Sequence, residues 1–330
     1  METIKTDVLV IGGGGARMRA VLAAKEKGSE VLLASKTPMG KSTCTYLSGG
    51  NFWVAAEGLS IETHFNLTLQ TGRGINSQEL VSILVGEAPE RIRELEKIGL
   101  VGEWRKGRFS CLGKPPAWGA PLTTVLANAI TREGVPVLPW MVVFDLLIEE
   151  GKAVGALVFN FRSGKSMALV SKTIVLANGG GGALYRRHDN PVRTTGDGYA
   201  LAFLAGCQLR DMEFVQFMPS GLAEFGKPLL LIVPSLCDFG RVINSKGEDV
   251  LQKYQITEKP VAARARDSFS LAIFGEGAEG KDVKGAPHLG HLTVVSFLIV
   301  PAQPEKGATK IAIIRKILAI SCITEYLSFS

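Results

Sequence analysis

An apolar run, Val8-Leu-Val-Ile11, leads directly into four glycines, Gly12 to Gly15, and then into a helix-like stretch from Ala16 to Lys27 that stops at Gly28. A continuous apolar run of this kind is expected for a parallel strand covered on both faces. Gly12 and Gly14 let the backbone turn sharply and come close to a pyrophosphate. The first N–H groups of the following helix, together with its dipole, attract that anion. The spacing for a dinucleotide turn is G-x-G-x-x-G, and here it reads Gly12-x-Gly14-x-x-Arg17. The third glycine normally lets the helix pack closely on the strand, so the arginine side chain is expected to point away or push the helix outward. The competing reading is a plain structural turn between strand and helix.

The elements around this turn follow from the same kind of pattern. Glu30 to Lys36 is a second short strand, and it ends in Ser35-Lys36 where many dinucleotide sites carry an acidic residue for the adenosine ribose. That ending disfavours NAD and favours a flavin. Gly40 to Gly50 is rich in small and hydroxyl residues, which suits close backbone approach to a flat ring, although the stretch taken alone reads as an ordinary polar loop. Ser77 to Gly99 reads as a capped helix with an apolar stripe of Leu80, Ile83, Leu84, Ala88, Ile92, Leu95 and Ile98. Arg105 to Pro121 reads as an exposed loop, and Leu122 to Arg132 as a short helix. Val137 to Ile148, Ala153 to Phe161 and Ala168 to Leu176 read as an antiparallel meander inserted in the α/β layer. Thr173 to Gly182 is a second buried strand ending in glycines, expected to rejoin the parallel sheet beside the first. Asp197, in Thr195-Gly-Asp-Gly198, is a turn residue whose flanking glycines suit close approach to a ligand.

Composition bounds the rest. The 330 residues, 46% hydrophobic and 21% charged, describe a globular chain with room for two domains. A net charge of +6 is spread without runs of lysine or arginine, so nucleic-acid binding is not expected. Five widely spaced cysteines, Cys44, Cys111, Cys207, Cys237 and Cys322, form no C-x-x-C. They argue against disulfides, zinc or an iron–sulfur cluster and for reduced thiols in the cytoplasm. No signal peptide is expected at the N-terminus, and no stretch reaches the ~18 apolar residues of a membrane span.

Further motifs carry a resemblance. Val175-Leu-Ala-Asn-Gly-Gly-Gly-Gly-Ala-Leu-Tyr185, Asp189-Asn-Pro191, Thr194 to Ala202 and Asp211-Met-Glu-Phe-Val-Gln-Phe-Met-Pro-Ser-Gly221 look like the succinate dehydrogenase/fumarate reductase flavoprotein family, which includes L-aspartate oxidase. The likeness runs from about Thr6 to about Gly285. It implies an α/β fold: a Rossmann-like FAD-binding domain with an inserted β-meander, and a partial α+β capping domain. The expected division is residues 1–222 for FAD, 223–287 for the partial cap and 288–330 for a divergent tail. By resemblance, Gly12, Gly14, Gly15 and Ala16 form the pyrophosphate turn, and Ser35 and Lys36 lie near the adenosine. Ser42, Thr43, Gly49 and Gly50 line the flavin ring, Val143 touches the adenine end through its backbone, and Ala177, Asn178 and Asp197 flank the cofactor. Ala265-Arg-Asp267 matches the segment whose arginine relays a proton, which makes Arg266 with Asp267 the catalytic pair. The competing reading is a surface arginine at a charged helix start.

The departures from the family are as specific. Thr43 stands where respiratory members carry the histidine that attaches FAD, so non-covalent FAD is expected. Met218 replaces the substrate histidine, and a thioether donates no hydrogen bond to a carboxylate. The Leu229–Gly240 stretch lacks the family's substrate segment, while Arg241 to Asp249 recovers the pattern. His288 and His291 are expected in loops, and Lys310 to Phe329 reads as either an amphipathic helix or divergent sequence. The resemblance implies hydride transfer between flavin N5 and a small dicarboxylate-like substrate, with a possible electron-transfer partner protein. The alternative is a truncated, inactive flavoprotein fragment or an FAD-binding subunit that needs a partner.

Overall fold

The computed structural model describes residues 1–56, 58–113, 119–185, 188–216, 221–222, 230–231, 238, 240–279, 283–287 and 295–297. They divide into two compact units. The first holds Met1–Gly181 and Asn190–Asp211; the second holds Gly182–Asp189 and the described residues from Met212 onward. Met218, His288, His291 and the 310–329 stretch lie outside the described residues.

In the first unit the chain runs β1 (Glu2–Gly12), α1 (Gly15–Glu26), β2 (Val31–Ser35), α2 (Cys44–Leu47), β3 (Asn51–Trp53), α3 (Ile61–Thr71) and α4 (Gln78–Lys97). It continues through β4 (Gly102–Arg105), β5 (Arg108–Cys111), α5 (Ala120–Arg132), β6 (Val137–Pro139), β7 (Met141–Glu149), β8 (Lys152–Asn160), β9 (Lys165–Ala177) and α6 (Asp197–Leu204). The main sheet has the order β6-β2-β1-β9-β8-β7. β1 pairs in parallel with both β2 and β9, so the second glycine-ended strand does lie beside the first.

The apolar run of β1 is uninterrupted because the strand is covered twice. Val10 joins Leu33, Met18, Val21, Leu126 and Ile130 in one core cluster beneath α1 and α5. Its neighbours Leu9 and Ile11 join Leu32, Ala34, Val143, Val158 and Leu169 in another. Alternate residues of one strand thus feed two cores, as the two-residue repeat of a strand requires. Helix α1 ends at Gly28, whose φ of +78° is the left-handed stop that glycine adopts at least cost.

Four expectations are corrected. Val137 to Ile148 is not one strand. Trp140 has φ +65°, which breaks the run into β6, parallel to β2, and β7, antiparallel to β8. Its ring is held edge-on by Phe161 at 5.8 Å and covered by the Arg162 guanidinium at 4.0 Å. The 105–121 stretch is not simply an exposed loop either. Lys106 and Gly107, both with positive φ, make a two-residue hairpin turn between β4 and β5. That turn buries Phe109 completely against Trp104, ring centres 5.1 Å apart. In α4, Ser77 caps as expected, accepting a hydrogen bond from the Leu80 N–H. Ile83, however, is 50% exposed, and Val81 and Val85 take the buried places. The meander is continuous with the parallel sheet through β9, which joins two expected strands into a single one.

The second unit contains β10 (Gly221–Leu222), β11 (Leu230–Leu231), β12 (Gly240–Asn244), α7 (Val250–Lys253), α8 (Val261–Arg264), α9 (Arg266–Ala278), β13 (Val283–Pro287) and β14 (Val295–Phe297). Its five strands follow the order β11-β10-β14-β13-β12, with antiparallel pairing throughout the described pairs. Phe269, Ala272, Ile273 and Glu276 form the buried stripe of α9 at helical spacing. Phe269, Ala272 and Ile273 share a core with Val242, Val250 and Val261. No helix among the described residues is long and apolar enough to cross a membrane.

Candidate functional site

The end of β1 is shaped first by its neighbour. Gly12 has φ +138°, and a Cβ placed there would lie 2.0 Å from the Ala177 carbonyl oxygen. Gly12 and Ala177 are in register, so the two glycine-ended strands close on each other at this point. The close approach that Gly12 serves in the structure is to β9. The following glycines face hydroxyl groups instead. A Cβ on Gly13 would meet Thr43, Thr37 and Ser35; one on Gly14 or Gly15 would meet Thr45.

Ser35, Thr37, Thr43 and Thr45 are all buried around the turn. Ser35 arrives at the end of β2, and its Oγ accepts the Thr37 N–H at 3.2 Å. Thr43 caps α2 by accepting the Tyr46 N–H at 3.1 Å. Thr45 Oγ1 accepts the Gly15 N–H at 3.0 Å, so a hydroxyl from the 40–50 stretch reaches the first turn of α1. Ser42, with φ +54°, precedes the capping Thr43; Gly49 and Gly50 follow the other end of α2, and the Gly50 carbonyl accepts the Cys111 N–H. The hydroxyl-rich stretch is therefore an ordered structure packed on the glycine turn. Thr37 and Thr45 were not singled out in the sequence; the density of hydroxyls from Ser35 to Ser48 is the signal that marks them.

Lys36 and Asp197 meet, although they are far apart in sequence. Lys36 Nζ pairs with the Asp197 carboxylate and donates to Thr195 Oγ1 at 2.8 Å, while Thr195 Oγ1 donates to Asp197 Oδ1 at 2.5 Å. Arg193 donates to the Lys36 carbonyl at 2.8 Å, and the Gly196 N–H donates to the Gly180 carbonyl at 3.1 Å. Gly198 permits the start of α6 to rest on the end of β9, since a Cβ there would lie 2.7 Å from Asn178 Cβ. Ser35, Lys36, Ala177, Asn178 and Asp197 thus gather where the carboxyl ends of β1, β2 and β9 converge, the place where parallel sheets take ligands. Val143 shares a core cluster with Ile11, at the end of β1, and with Ala34, next to Ser35. It is buried on β7, paired with Val158, just before a shift in strand register.

Two buried groups at this place have polar atoms with no partner among the described residues. Asn178 Oδ1 is a buried acceptor with no partner among the described residues. Arg17 does not point away: it is fully buried, and its Nη2 donates to the Gly13 carbonyl at 3.1 Å. Its Nε and Nη1 have no partner among the described residues, and burial pushes the guanidinium pKa down to about 9. A turn with helix N–H groups, ringed by hydroxyls and holding unmet donors and an acceptor, suits a polar ligand that carries an anion. A dinucleotide fits that donor set.

Arg266 and Asp267 belong to the second unit. They open α9, where the Arg266 carbonyl accepts the Ser270 hydroxyl at 2.7 Å and Asp267 Oδ1 accepts the Ser268 N–H at 2.9 Å. Arg266 is half-buried and Asp267 exposed.

Comparison with known proteins agrees with this geometry. Residues 7–291 match the model of a family described as FAD binding domain. An uncharacterised FAD-dependent oxidoreductase of Methanocaldococcus jannaschii is 30% identical over 303 residues, covering 87% of this chain and 54% of that protein. One of the fumarate reductase (CoM/CoB) subunits of Methanothermobacter marburgensis is 30% identical, covering 85% and 54%. Among solved structures, a quinol-fumarate reductase with menaquinol molecules superposes with a TM-score of 0.78 at 27% identity, covering 88% of this chain and 56% of that one. The chain spans about half the length of the curated relatives it matches. Parallel core, hydroxyl-lined glycine turn and family match converge on one cofactor, FAD. The chain belongs to the FAD-binding family of the fumarate reductase and succinate dehydrogenase flavoproteins.

Proposed function

We propose that this chain is the FAD-binding portion of an oxidoreductase that acts on a small dicarboxylate or a related acid. When bound, FAD supplies the two-electron chemistry, a hydride exchanged between its N5 and a carbon of the substrate. The observation that carries the reading is the convergence at the ends of β1, β2 and β9, where the glycine turn, the four buried hydroxyls and Asn178 gather. Gly12, Gly14, Gly15 and Ala16 present the turn to the diphosphate. Ser35 and Lys36, the latter fixed by Asp197, lie toward the adenosine, with the Val143 backbone at the adenine. Ser42, Thr43, Gly49, Gly50, Ala177 and Asn178 face the flavin side.

The proton that accompanies hydride transfer is assigned to Arg266, with Asp267 beside it. An arginine with an ordinary pKa above about 12 is a weak acid, so this role requires a setting between carboxylates that passes the proton on as it is taken up. The cap is assigned to residues 223–287 and the tail to 288–330. Thr43 cannot form the histidyl link of the respiratory members, so the cofactor is held non-covalently. A substrate carboxylate and an electron-transfer protein are the proposed partners, in the cytoplasm.

The test is direct. The purified chain should be yellow, and the flavin should separate from the polypeptide on acid precipitation. A colourless chain that fails to take up added FAD overturns the reading, and flavin that stays with the precipitate overturns non-covalent binding. A second reading is an FAD-binding subunit that needs a partner, supported by the relative of Methanothermobacter marburgensis being named as a subunit. Flavin binding without reduction of any dicarboxylate by the isolated chain would support it.

A further inference from the structure

The third position of the glycine motif holds a buried cation. Arg17 lies in the first turn of α1, and helical side chains lean back toward the N-terminus. Its guanidinium accordingly returns to the turn and donates to the Gly13 carbonyl. The side chain is completely excluded from solvent, yet no carboxylate pairs with it among the described residues. The hydroxyls around the turn, on Ser35, Thr37, Thr43 and Thr45, are neutral, and the nearby Lys36 is already matched by Asp197. Two of the three guanidinium nitrogens remain without an acceptor among the described residues. A buried charge in this condition is costly, as its depressed pKa also reflects, and it calls for an anion.

We propose that Arg17 is a ligand of the FAD diphosphate, its guanidinium supplying the charge and donors that complete the anion site at the start of α1. This rests on the FAD reading above and deepens it. The arginine then replaces the close helix packing of a third glycine with a charge-assisted contact to the phosphates. It is a binding residue, and the position is a gain of contact where the motif alone reads as a fault.

The experiment titrates the full chain, freed of flavin, with FAD, ADP and riboflavin, following flavin fluorescence or the shift of the unfolding temperature. Wild type is compared with Arg17→Met, which keeps bulk without charge, Arg17→Lys and Arg17→Gly. Loss of a charge-assisted hydrogen bond is expected to weaken FAD and ADP by about tenfold or more in Arg17→Met, with riboflavin unchanged. Arg17→Lys recovers part of the loss. The ligand-free Arg17→Met chain unfolds at or above the wild-type temperature, because an uncompensated buried charge has been removed, so a weaker complex cannot be blamed on misfolding. FAD binding by Arg17→Met or Arg17→Gly as tight as wild type, or tighter, overturns the proposal while leaving the FAD reading intact. Wild type that binds neither FAD nor ADP overturns the FAD reading itself, and the proposal with it.

Discussion

Gly12→Ala separates what the protein demands of the glycine turn from what the cofactor demands. With φ +138°, an alanine here carries backbone strain of about 1–3 kcal/mol. The new methyl also starts 2.0 Å from the Ala177 carbonyl oxygen, so β1 and β9 must part by about 1.4 Å to reach ordinary contact at 3.4 Å. That displacement falls on the last pair of the β1–β9 ladder, between two core clusters, and overpacking of this kind costs a further ~1–3 kcal/mol. Gly28→Ala is the control. Its φ of +78° is also left-handed, but nothing lies within 4 Å, so only a backbone term of about 1–2 kcal/mol applies. Urea midpoints followed by circular dichroism, without FAD, should place Gly12→Ala well below Gly28→Ala, by up to ~4 kcal/mol out of a typical total of 5–15. Equal midpoints for the two variants refute the steric argument and return Gly12 to a role in ligand approach alone.

Three further outcomes are expected. His64 is buried on α3, both ring nitrogens lack partners among the described residues, and burial lowers its pKa below the usual 6.5. The unfolded chain therefore binds the proton first as pH falls: stability is full above about pH 6.5 and declines below it, and His64→Phe should flatten that decline in melting temperatures taken between about pH 7.5 and about 5.5. Glu276 is fully buried and accepts from Asn244 Nδ2 and Lys253 Nζ, each at 2.6 Å. Burial pulls its pKa up, but hydrogen bonds from Lys253, Asn244 and Tyr254 outweigh this and hold it below the ordinary 4.5. Its stabilisation is thus present above that value and lost as pH falls through the depressed one. Glu276→Gln should cost about 1–3 kcal/mol at neutral pH and remove the acid-dependent loss, the low end being set by partly exposed Lys253. Asn178→Ala removes an unmet buried acceptor, so the ligand-free chain should hold or gain stability while FAD affinity drops several-fold in a fluorescence titration.

What the sequence made legible was the part governed by local rules. Strand β1, the turn, α1 and the pairing of β9 beside β1 follow from apolar runs and glycines whose conformational demands are fixed over a few residues. What escaped depends on contacts between distant segments. Trp140 breaks a strand because its ring finds Phe161 and Arg162, partners that no local pattern announces. Phe109 buries itself through a Lys-Gly hairpin, a turn with weaker sequence character than Asn-Gly. In α4, Ile83 and Val85 fit a helical stripe nearly equally well, and the side that becomes the core is chosen by the surrounding fold. At the site, the hydroxyl-rich stretch was visible, but the bond from Thr45 to Gly15 needs the fold to bring residues thirty positions apart together. Arg17 was read in the wrong direction, since motif spacing says which residue is unusual and not where its side chain goes.

The glycines and the unmet polar atoms of this site answer to different constraints. Gly12 is required by Ala177 and Gly198 by Asn178, while Gly119, at the start of α5, would place a Cβ 1.7 Å from the Thr45 carbonyl oxygen. Each of these contacts lies within the protein, so the cradle is built by packing. Changes at the glycines therefore disturb fold and affinity together, and a loss of flavin from such a variant says little about contact with flavin. Arg17 and Asn178 are the opposite case. Their buried polar atoms weigh against the empty fold, and ligand binding is what would compensate them. A substitution there that strengthens the ligand-free chain while weakening the complex points to a contact made to the cofactor.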